Sequence, residues 1–535
     1  MGTIGIIILV ALLFLGAPLF AVLIAAGALG AIFTAQSGGH SFWTDFLGQI
    51  SDINTVATGE EATVLSTIPL FIFAGYLMAE AKTADRLVNV AKAALGWLPG
   101  GLAVVTIFAC ALFTTFTGAS GVTIVALGGL LLPSLVREGY PEGFALGLVG
   151  GTGSVGLLFP PAVPIIIYGT VYGLNAQTRA GTEIISFTTD RFLLAGVLPG
   201  LVLIGILSLY SIYRAIKLEV PRQPFVAADL GKAFLRGIPE LAIPFLVIAA
   251  LANGVQLPEV AALTVVYVLL LEVVVYRDVH PKALFSMVRE SMILVGAIFI
   301  IIFAAQVFTN YLKTAQVPDA VFEWINSRIE SKWVFLLALN LLLLAVGMTM
   351  DIFSAIVVVV PLIIRPAAEF GIDPFHLGVI FLLNLEIGYL TPPVGLNLFI
   401  TSFTFKKPIL EVTRATLPFL ACMVVALGIV TYVPALTVYP EAKRRGLIQT
   451  MIRDFVDTGK RAGSVDDLVF ENGKKLTRSD CEKIANEFDK LICLDLFVDV
   501  TECRQKPSKE DADVCEKKAL RTYQEDTEED EDLDF

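Results

Sequence analysis

The chain has 535 residues, of which 56% are hydrophobic and only 16% charged, and its formal net charge is −12. Soluble domains carry about 25% charged residues, so this composition excludes an ordinary soluble enzyme, and the acidic excess argues against a nucleic-acid partner. Apolar runs longer than about 18 residues recur along the chain, and such runs are typical of membrane-spanning helices.

Taken in chain order, the apolar runs predict ten membrane crossings, two of them broken, and two helical hairpins that enter and leave from one side. The crossings are expected near 4–18, 19–35, 64–80, 143–174, 190–213, 240–252, 255–276, 291–311, 375–403 and 415–437, and the hairpins near 101–136 and 334–366. Residues 4–35 form either two short crossings or one long tilted helix. The predicted fold class is an all-α polytopic membrane protein embedded in a lipid bilayer.

Two segments, GSVGLLFPPAVPIIIYG (153–169) and NLEIGYLTPPVGLNLFI (384–400), each carry a Pro-Pro pair inside an apolar run that could cross a bilayer. Proline removes a backbone donor and clashes with the preceding helical turn. In hydrocarbon a freed backbone group costs several kcal/mol unless protein, water or an ion satisfies it. Two such breaks at matching places in two halves of a chain indicate a substrate site near the middle of the membrane.

The predicted elements occur twice in the same order. Each half has spans, an amphipathic stretch (81–97 and 317–333), an interrupted hairpin, a broken helix and a closing span. We therefore predict two repeats, at about 1–215 and about 238–438, which together form a transporter membrane domain at 1–438. Each repeat has an odd number of crossings, so the second is inverted relative to the first. Lysine and arginine mark the cytoplasmic loops, which places both termini outside.

The hairpins are interrupted at TGASGVT (117–123) and GMTMDIFS (347–354). Unwound carbonyls and hydroxyls there supply hard oxygen ligands that suit Na⁺, and half-helix N-termini attract an anion. The candidate Na⁺ ligands at the two tips are Ser120, Thr349 and Asp351. The full set of candidate substrate- and ion-binding residues is Gly118, Ser120, Thr123, Gly156, Pro160, Pro161, Gly347, Thr349, Asp351, Asn384, Thr391, Pro392, Gly395 and Asn397.

Several of these polar residues also have structural interpretations. Asp351 either binds a cation or substrate, as ionisable groups at this depth commonly do, or caps a helix. Glu386 either has a function or pairs with a lysine or a helix N-terminus. Asn384 and Asn397 flank the second break and either line a cavity or take part in packing.

A membrane-embedded enzyme is the alternative from an unrelated class. It would need a cluster such as H-E-x-x-H, or a Ser/His pair, within the spans. The three histidines, His40, His280 and His376, lie in loops or at span ends. We therefore expect a membrane protein without enzymatic activity and without an organic cofactor.

Residues 439–535 form an extramembrane tail of different composition. Half of the 50 acidic residues lie after residue 440, and the acidic end is expected to be disordered. The tail holds four of the six cysteines, which form disulfides, remain free thiols or bind a metal. They lie symmetrically about residue 498, so a helical hairpin would pair Cys493 with Cys503 and Cys481 with Cys515. The alternative pairing joins neighbours, Cys481 with Cys493 and Cys503 with Cys515.

At this point the chain resembles a known family, the large DctM-like membrane subunit of tripartite ATP-independent periplasmic (TRAP) transporters. The resemblance covers residues 1 to about 438 and rests on IPLFIFAGYLMAEA (68–81), TGASG (117–121), LLFPPAVPIIIYG (157–169), GMTMDIFSAIVVVVPLI (347–363) and FGIDPFHLGVIFLLNLEIGYLTPPVGLNLFI (370–400). The sequence departs from the pattern at the first tip, where GAS replaces a Ser-rich stretch, and at Ala162, where serine is common.

What the resemblance implies is an elevator-type secondary transporter of the bacterial inner membrane that takes up a small organic acid with Na⁺. A soluble periplasmic binding protein (DctP-like) would deliver the substrate, and a small four-span membrane subunit (DctQ-like) would brace the immobile part. Residues 96–102 and the N-terminal spans are the expected contact with that subunit. A stand-alone carrier of the same fold, working without a binding protein, is the closest alternative.

Overall fold

The computed structural model describes residues 18–38, 43, 64–176, 189–221, 227–253, 255–317, 331–392, 394–438, 467–469 and 475–477, and single positions between 322 and 329. The chain divides into two compact units, residues 1–251 with 255–440, and residues 252–254 with 441–535. All the helices named below belong to the first unit. The predicted span at 4–18 lies outside the described residues, and the amphipathic stretch at 317–333 is described only in part.

The first half of the chain contains α1 (Leu19–Gly38), α2 (Thr67–Glu80), α3 (Thr83–Leu95), α4 (Gly101–Thr117), α5 (Ser120–Arg137), α6 (Glu142–Thr152), a 3-10 turn (Val155–Leu158), α7 (Val163–Ala176), α8 (Thr189–Ala195) and α9 (Val197–Lys217). Helices α4 and α5 are the arms of the first predicted hairpin. Helices α6 and α7, with the 3-10 turn between them, are the first broken helix, bent by 45° at the break.

The second half contains α10 (Ala227–Ala252), α11 (Leu257–Leu269, continued as a π-helix at Leu270–Val275), α12 (Pro281–Thr314), α13 (Lys332–Thr349), α14 (Ile352–Glu369), α15 (Pro374–Gly388), α16 (Leu396–Phe405) and α17 (Ile409–Tyr432). Helices α13 and α14 form the second hairpin, and α15 and α16 are the two parts of the second broken helix. Among the described residues, eight helices are long and apolar enough to cross a membrane, or nine if the bent pair counts as one span. The predicted all-helical, multi-span fold with a broken helix pair is confirmed.

Three helices begin earlier than hydropathy predicts. Helix α10 begins at Ala227 rather than near 240, α12 at Pro281 rather than near 291, and α17 at Ile409 rather than near 415. Their first turns carry charged side chains, such as Lys232, Lys282 and Glu411, which a hydropathy window rejects. A helix can nevertheless continue beyond the hydrocarbon, where such side chains reach water.

The second unit contributes two described strands, β1 (Asp467–Val469) and β2 (Lys475–Thr477), which pair antiparallel with Leu468 opposite Leu476. These strands are not among the elements predicted for the tail. The predicted helical hairpin about residue 498, and the four cysteines Cys481, Cys493, Cys503 and Cys515, lie outside the described residues. Their disulfide pairing therefore stays a prediction. Cys110 and Cys422, within the helices, are free.

The two halves pack into each other in the same pattern. The second arm of each hairpin packs on the second part of the opposite half's broken helix, α5 on α16 and α14 on α7. The first arm of each hairpin packs on the broken helix of its own half. Helix α4 packs on the 3-10 turn, and α13 packs on α15. Neither broken helix is therefore complete without the other half. Helices α1, α2, α11 and α12 form a separate group beside them.

A buried ion cluster fastens the amphipathic helix α3 to this group. The Arg86 guanidinium donates hydrogen bonds to Glu240, Glu272 and Asp278, including 2.8 Å to Glu272 Oε2, and Thr83 donates to Glu272 at 2.9 Å. Burial opposes the charge on Arg86, but the bond to Asp278 and the two glutamates outweigh it and raise the Arg86 pKa. Removing one member of such a cluster leaves uncompensated buried charge.

Helix α6 approaches α17 so closely that the contact tolerates only glycine at one position. A Cβ placed on Gly147 would lie 2.0 Å from the backbone oxygen of Ala415, whereas one on Gly143 would meet nothing within 4 Å. We predict that Gly147→Ala lowers the melting temperature of the detergent-solubilised protein, because overpacking typically costs about 1–3 kcal/mol. Thermal unfolding followed by intrinsic fluorescence measures this.

Gly143→Ala is the matched control, since it lies on the same helix. It should leave the melting temperature unchanged or raise it, because alanine in a helix is favoured over glycine by roughly 0.5–1 kcal/mol. Equal melting temperatures for the two variants would contradict the close approach of α6 and α17.

Candidate functional site

A cavity of about 620 Å³ lies where both hairpin tips meet the second break. One wall consists of α2 and α12, with Tyr76, Glu80, Met287 and Glu290. The rest of the lining comes from the first tip and the start of α5 (117–122, with Val125 and Ala126), Leu157, the second tip (351–353), Tyr389 and two residues of α16, Leu396 and Ile400. The space is large enough for a small organic molecule.

At the first tip the chain leaves α4 through Gly118, whose φ of 63° is a left-handed conformation that side chains with a Cβ rarely adopt. Ala119 is extended, and α5 then begins at Ser120 with no side chain capping its N-terminus. The first residues of α5 belong to the cavity lining. Such a terminus attracts negative charge.

The Ser120 hydroxyl links the first tip to the second break. It donates a hydrogen bond to Asn397 Oδ1 at 2.7 Å, and both residues are buried. Asn397 in turn donates its backbone N–H to Tyr389 O at 3.1 Å. The Asn397 Nδ2 group has no hydrogen-bond partner among the described residues. The sequence places these two candidates far apart, and the fold brings them together.

The second tip is built differently from the first. Helix α13 ends at Thr349, Met350 is extended, and Asp351 caps α14 by accepting from the backbone N–H groups of Phe353 and Ser354, each at 3.0 Å. Asp351 therefore caps the helix, which is one of the two interpretations that the sequence allowed. Its side chain also accepts from the Ser354 hydroxyl and lines the cavity. Thr349 donates its hydroxyl to Val346 O and Ala345 O, within its own helix.

Threonine hydroxyls of the first hairpin contact backbone carbonyls at the first break. Thr114 donates to Gly153 O at 2.8 Å, and Thr115 to Gly156 O at 3.1 Å. Thr114 also pairs with Thr123 at 2.7 Å, which ties the two arms of the hairpin together. Thr123 and Gly156 thus lie in the packing behind the tip, as do the buried Pro160 and Pro161.

At the second break the chain is held by backbone contacts. Gly388 packs directly on Gly347, and the Gly395 N–H approaches Met348 O at 3.4 Å. The Thr391 hydroxyl donates to Ile387 O, within its own turn. Pro392 is exposed, and Pro393 lies outside the described residues.

Of the candidates named from the sequence, the cavity lining includes Gly118, Ser120 and Asp351. Asn384 lies elsewhere, in a buried polar cluster where it donates to Asn340 Oδ1 at 2.6 Å, and Asn340 donates to Thr431. His376 contacts Thr437 and Thr431 O near the same end of α17. Among the described residues no group of three or more His, Cys, Asp or Glu could hold a metal ion.

Sequence reasoning missed the wall formed by α2 and α12. Tyr76 and Glu80 follow one another on α2 at helical spacing, and Glu290 lies on α12 beside Ser286, which donates to it at 3.2 Å. The signal available was a pair of acidic residues near the ends of apolar runs. Acidic residues are equally typical of a solvated helix end, so only the fold distinguishes cavity-lining residues from solvated ones.

Residues 6–436 match the family model for the DctM component of the tripartite ATP-independent periplasmic transporter. The chain belongs to this family. It is 35% identical over 388 residues, covering 72% of this chain and 87% of the relative, to the C4-dicarboxylate TRAP transporter large permease protein DctM of Pseudomonas aeruginosa. It is thus a multi-pass membrane protein of a TRAP transporter, and the enzyme alternative is excluded.

Other DctM relatives carry different substrate names. The ectoine TRAP transporter large permease protein TeaC of Halomonas elongata is 30% identical, covering 82% of this chain and 98% of TeaC. The isethionate TRAP transporter permease protein DctMQ of Oleidesulfovibrio alaskensis is 32% identical, covering 77% of this chain and 62% of that protein. TRAP systems include DctQ and DctP components, and DctMQ is a fusion of two of them.

The fold of the DctM chain is also similar to a solved structure. The YdaH transporter of Alcanivorax borkumensis superposes with a TM-score of 0.56 and 12% identity, covering 77% of this chain and 97% of YdaH. At that identity the likeness concerns the fold alone.

The Ser120–Asn397 contact provides a test of how the two halves are joined. We predict that Ser120→Ala reduces uptake and lowers the melting temperature, because leaving a buried polar group unpaired costs about 1–3 kcal/mol. Ser134→Ala is the control, since Ser134 lies on the same helix and bonds only to Leu130 O within it. Uptake by reconstituted protein and thermal unfolding are the measurements, and equal losses in both variants would contradict a specific role for Ser120.

Proposed function

We propose that this DctM permease carries a small organic acid anion inward together with Na⁺, by an elevator movement across the bacterial inner membrane. A DctP-like periplasmic binding protein delivers the substrate, and a DctQ-like four-span subunit braces the stationary part. The observation that carries this proposal is the cavity between the two hairpin tips and the wall of α2 and α12. In the elevator interpretation, the hairpins and broken helices move against that wall.

The charge of the cavity supports coupling to a cation. Its lining includes the carboxylates of Glu80, Glu290 and Asp351 and, among the described lining residues, no lysine or arginine. An organic anion cannot enter such a space without compensating positive charge. Na⁺ ions held by tip carbonyls, Ser120, Thr349 or Asp351 would supply it, while the uncapped N-terminus of α5 would face the substrate carboxylate.

The relatives support an organic substrate without selecting one. The names of DctM, DctMQ and TeaC specify C4-dicarboxylates, isethionate and ectoine, respectively. Uptake into proteoliposomes should be measured for these three compounds, each with a cognate binding protein. A requirement for both the binding protein and an inward Na⁺ gradient would support the proposal, and equal uptake in K⁺-only buffer would contradict the coupling ion.

Exposed apolar side chains support a membrane partner on the stationary part. Trp97, in the predicted contact stretch 96–102, is 48% exposed, and α1 exposes Phe20, Ile24 and Ile32. Such side chains suit either lipid or a helix of another subunit. Transport by purified DctM that lacks any small membrane subunit would contradict the bracing role.

Asp351 offers a way to separate a charge effect from a capping effect. Asparagine caps a helix about as well as aspartate, so Asp351→Asn keeps the cap and removes the charge. If the carboxylate binds Na⁺, we predict at least a tenfold weaker apparent Na⁺ affinity, about 1.4 kcal/mol, with an unchanged melting temperature. The Na⁺ dependence of initial uptake rates measures this.

Asp373→Asn is the matched control, because Asp373 caps α15 through the Phe375 N–H at 2.9 Å and does not line the cavity. Its Na⁺ dependence should equal that of the wild type. An unchanged Na⁺ affinity in Asp351→Asn would exclude Asp351 as a ligand and leave only the capping role.

The first break gives a second test of the mechanism. We predict that replacing Pro160 and Pro161 together by alanine abolishes uptake with normal membrane insertion, because the helix can then close over the break. Pro418→Ala, within α17 and away from both breaks, is the control and should transport normally. Wild-type uptake by the double variant would show that the break is only a structural kink.

A further inference from the structure

Glu386 is a buried carboxyl group with no hydrogen-bond partner among the described residues. It lies in the last turn of α15, six residues before the Pro392 pair, and is fully buried. Neither carboxylate oxygen has a hydrogen-bond partner among the described residues. The two pairings expected from the sequence, with a lysine or with a helix N-terminus, are therefore both absent from the described part of the chain.

An ionised carboxylate is not stable in such surroundings. It accepts hydrogen bonds only, and a buried charge without donors or a counter-ion costs many kcal/mol. A protonated carboxyl is neutral and carries its own donor, which a nearby helix carbonyl can accept. One bound proton therefore removes the uncompensated buried charge of the carboxylate, whereas a bound Na⁺ would require a shell of several oxygen ligands.

The first break has a related arrangement. Ser154 precedes the Pro160 pair by the same interval at which Glu386 precedes Pro392, and it is also fully buried with no partner for its hydroxyl among the described residues. The turn that follows Ser154 packs against α15. A serine hydroxyl and a protonated carboxyl are both neutral O–H groups. The two breaks are thus alike in charge only when Glu386 carries a proton.

Tyr389 links the end of α15 that carries Glu386 to the cavity. It follows Glu386 by three residues and lines the cavity. Its hydroxyl accepts a hydrogen bond from the Ile352 N–H at 2.5 Å, at the second tip. A movement of the second tip would therefore disturb the chain directly beside Glu386.

The other titratable groups around α15 are held elsewhere. Among the described side chains, the helices and the turn that pack on α15 contribute tyrosines from α7, a cysteine and a tyrosine from α17 and the capping aspartate of α14. Helix α15 adds a histidine and its own capping aspartate at its opposite end. In chain order these groups are Tyr168, Tyr172, Asp351, Asp373, His376, Cys422 and Tyr432. Lys332, Arg365, Glu369, Glu411 and Arg414 lie at or towards helix ends away from the break. Of the groups in this inventory, only Asp351 lines the cavity, as Tyr389 does.

We propose that Glu386 is a proton-binding site: it carries a proton in the conformation described and exchanges it with the cavity during the transport cycle. Closure of the second break then requires the protonated form, because the ionised form cannot be buried. This inference goes beyond Na⁺-coupled uptake, and its first test measures the bound proton without any transport. Failure of that test would leave the proposed coupling intact.

Infrared spectroscopy of the purified full-length protein tests the bound proton directly. We expect a carboxylic-acid C=O band that shifts in ²H₂O and disappears in Glu386→Gln. Glu411→Gln, an exposed control on α17, should keep the band. If Glu386→Gln does not fold, Glu386→Asp should retain a shifted band. Absence of any band assignable to Glu386 would overturn the proposal, as would its loss on adding Na⁺ but not K⁺, which would make Glu386 a Na⁺ ligand.

The pH profile of uptake tests the requirement for the protonated form. Wild-type uptake should fall with rising pH, by up to about tenfold per pH unit once the site deprotonates. Glutamine mimics the protonated carboxyl, so Glu386→Gln should remain active and lose this alkaline fall, while Glu411→Gln should keep it. Wild-type and Glu386→Gln profiles that superpose would overturn the requirement for a protonated Glu386.

Discussion

The unsatisfied backbone of two broken helices is the constraint on which the rest of this structure depends. Within hydrocarbon, irregular backbone is stable only where protein or a water-filled cavity covers it. At the first break the carbonyls of Gly153 and Gly156 accept hydrogen bonds from Thr114 and Thr115 of the adjoining hairpin arm. The hairpins are therefore needed first as structural partners of the breaks. The cavity arises because the tip of each hairpin lies close to the break of a helix that the hairpin packs against.

The second break is satisfied by different means. Its backbone contacts the second hairpin through Gly388 on Gly347, and reaches the first hairpin through Asn397 and Ser120. Because α5 packs on α16 and α14 on α7, each half completes the other. A displacement of one hairpin therefore disturbs a break in both halves. The proposed elevator movement would require such interdependence, because the hairpins and broken helices would have to move together.

Much of this architecture could be predicted from the sequence. Apolar length and the position of Pro-Pro pairs located both hairpins and both breaks, since proline and hydrocarbon leave few alternatives. The starts of α10, α12 and α17 could not be located by hydropathy, because charged helical turns outside the membrane resemble loops. Contacts such as Ser120 with Asn397, or Arg86 with Glu240 and Glu272, join residues far apart in the chain, and no local pattern contains them.

The site itself was only partly predictable, for a reason visible at the two tips. Both sequences offer small and hydroxyl-bearing residues, but the first tip leaves the N-terminus of α5 without a side-chain cap, whereas Asp351 occupies the N-terminus of α14. The same element at equivalent places thus presents a positive end in one half and a carboxylate in the other. Two identical tips would offer two like sites. In the proposed co-transport, this difference in one capping residue would suit the first tip to the anion and the second to the cation within one cavity.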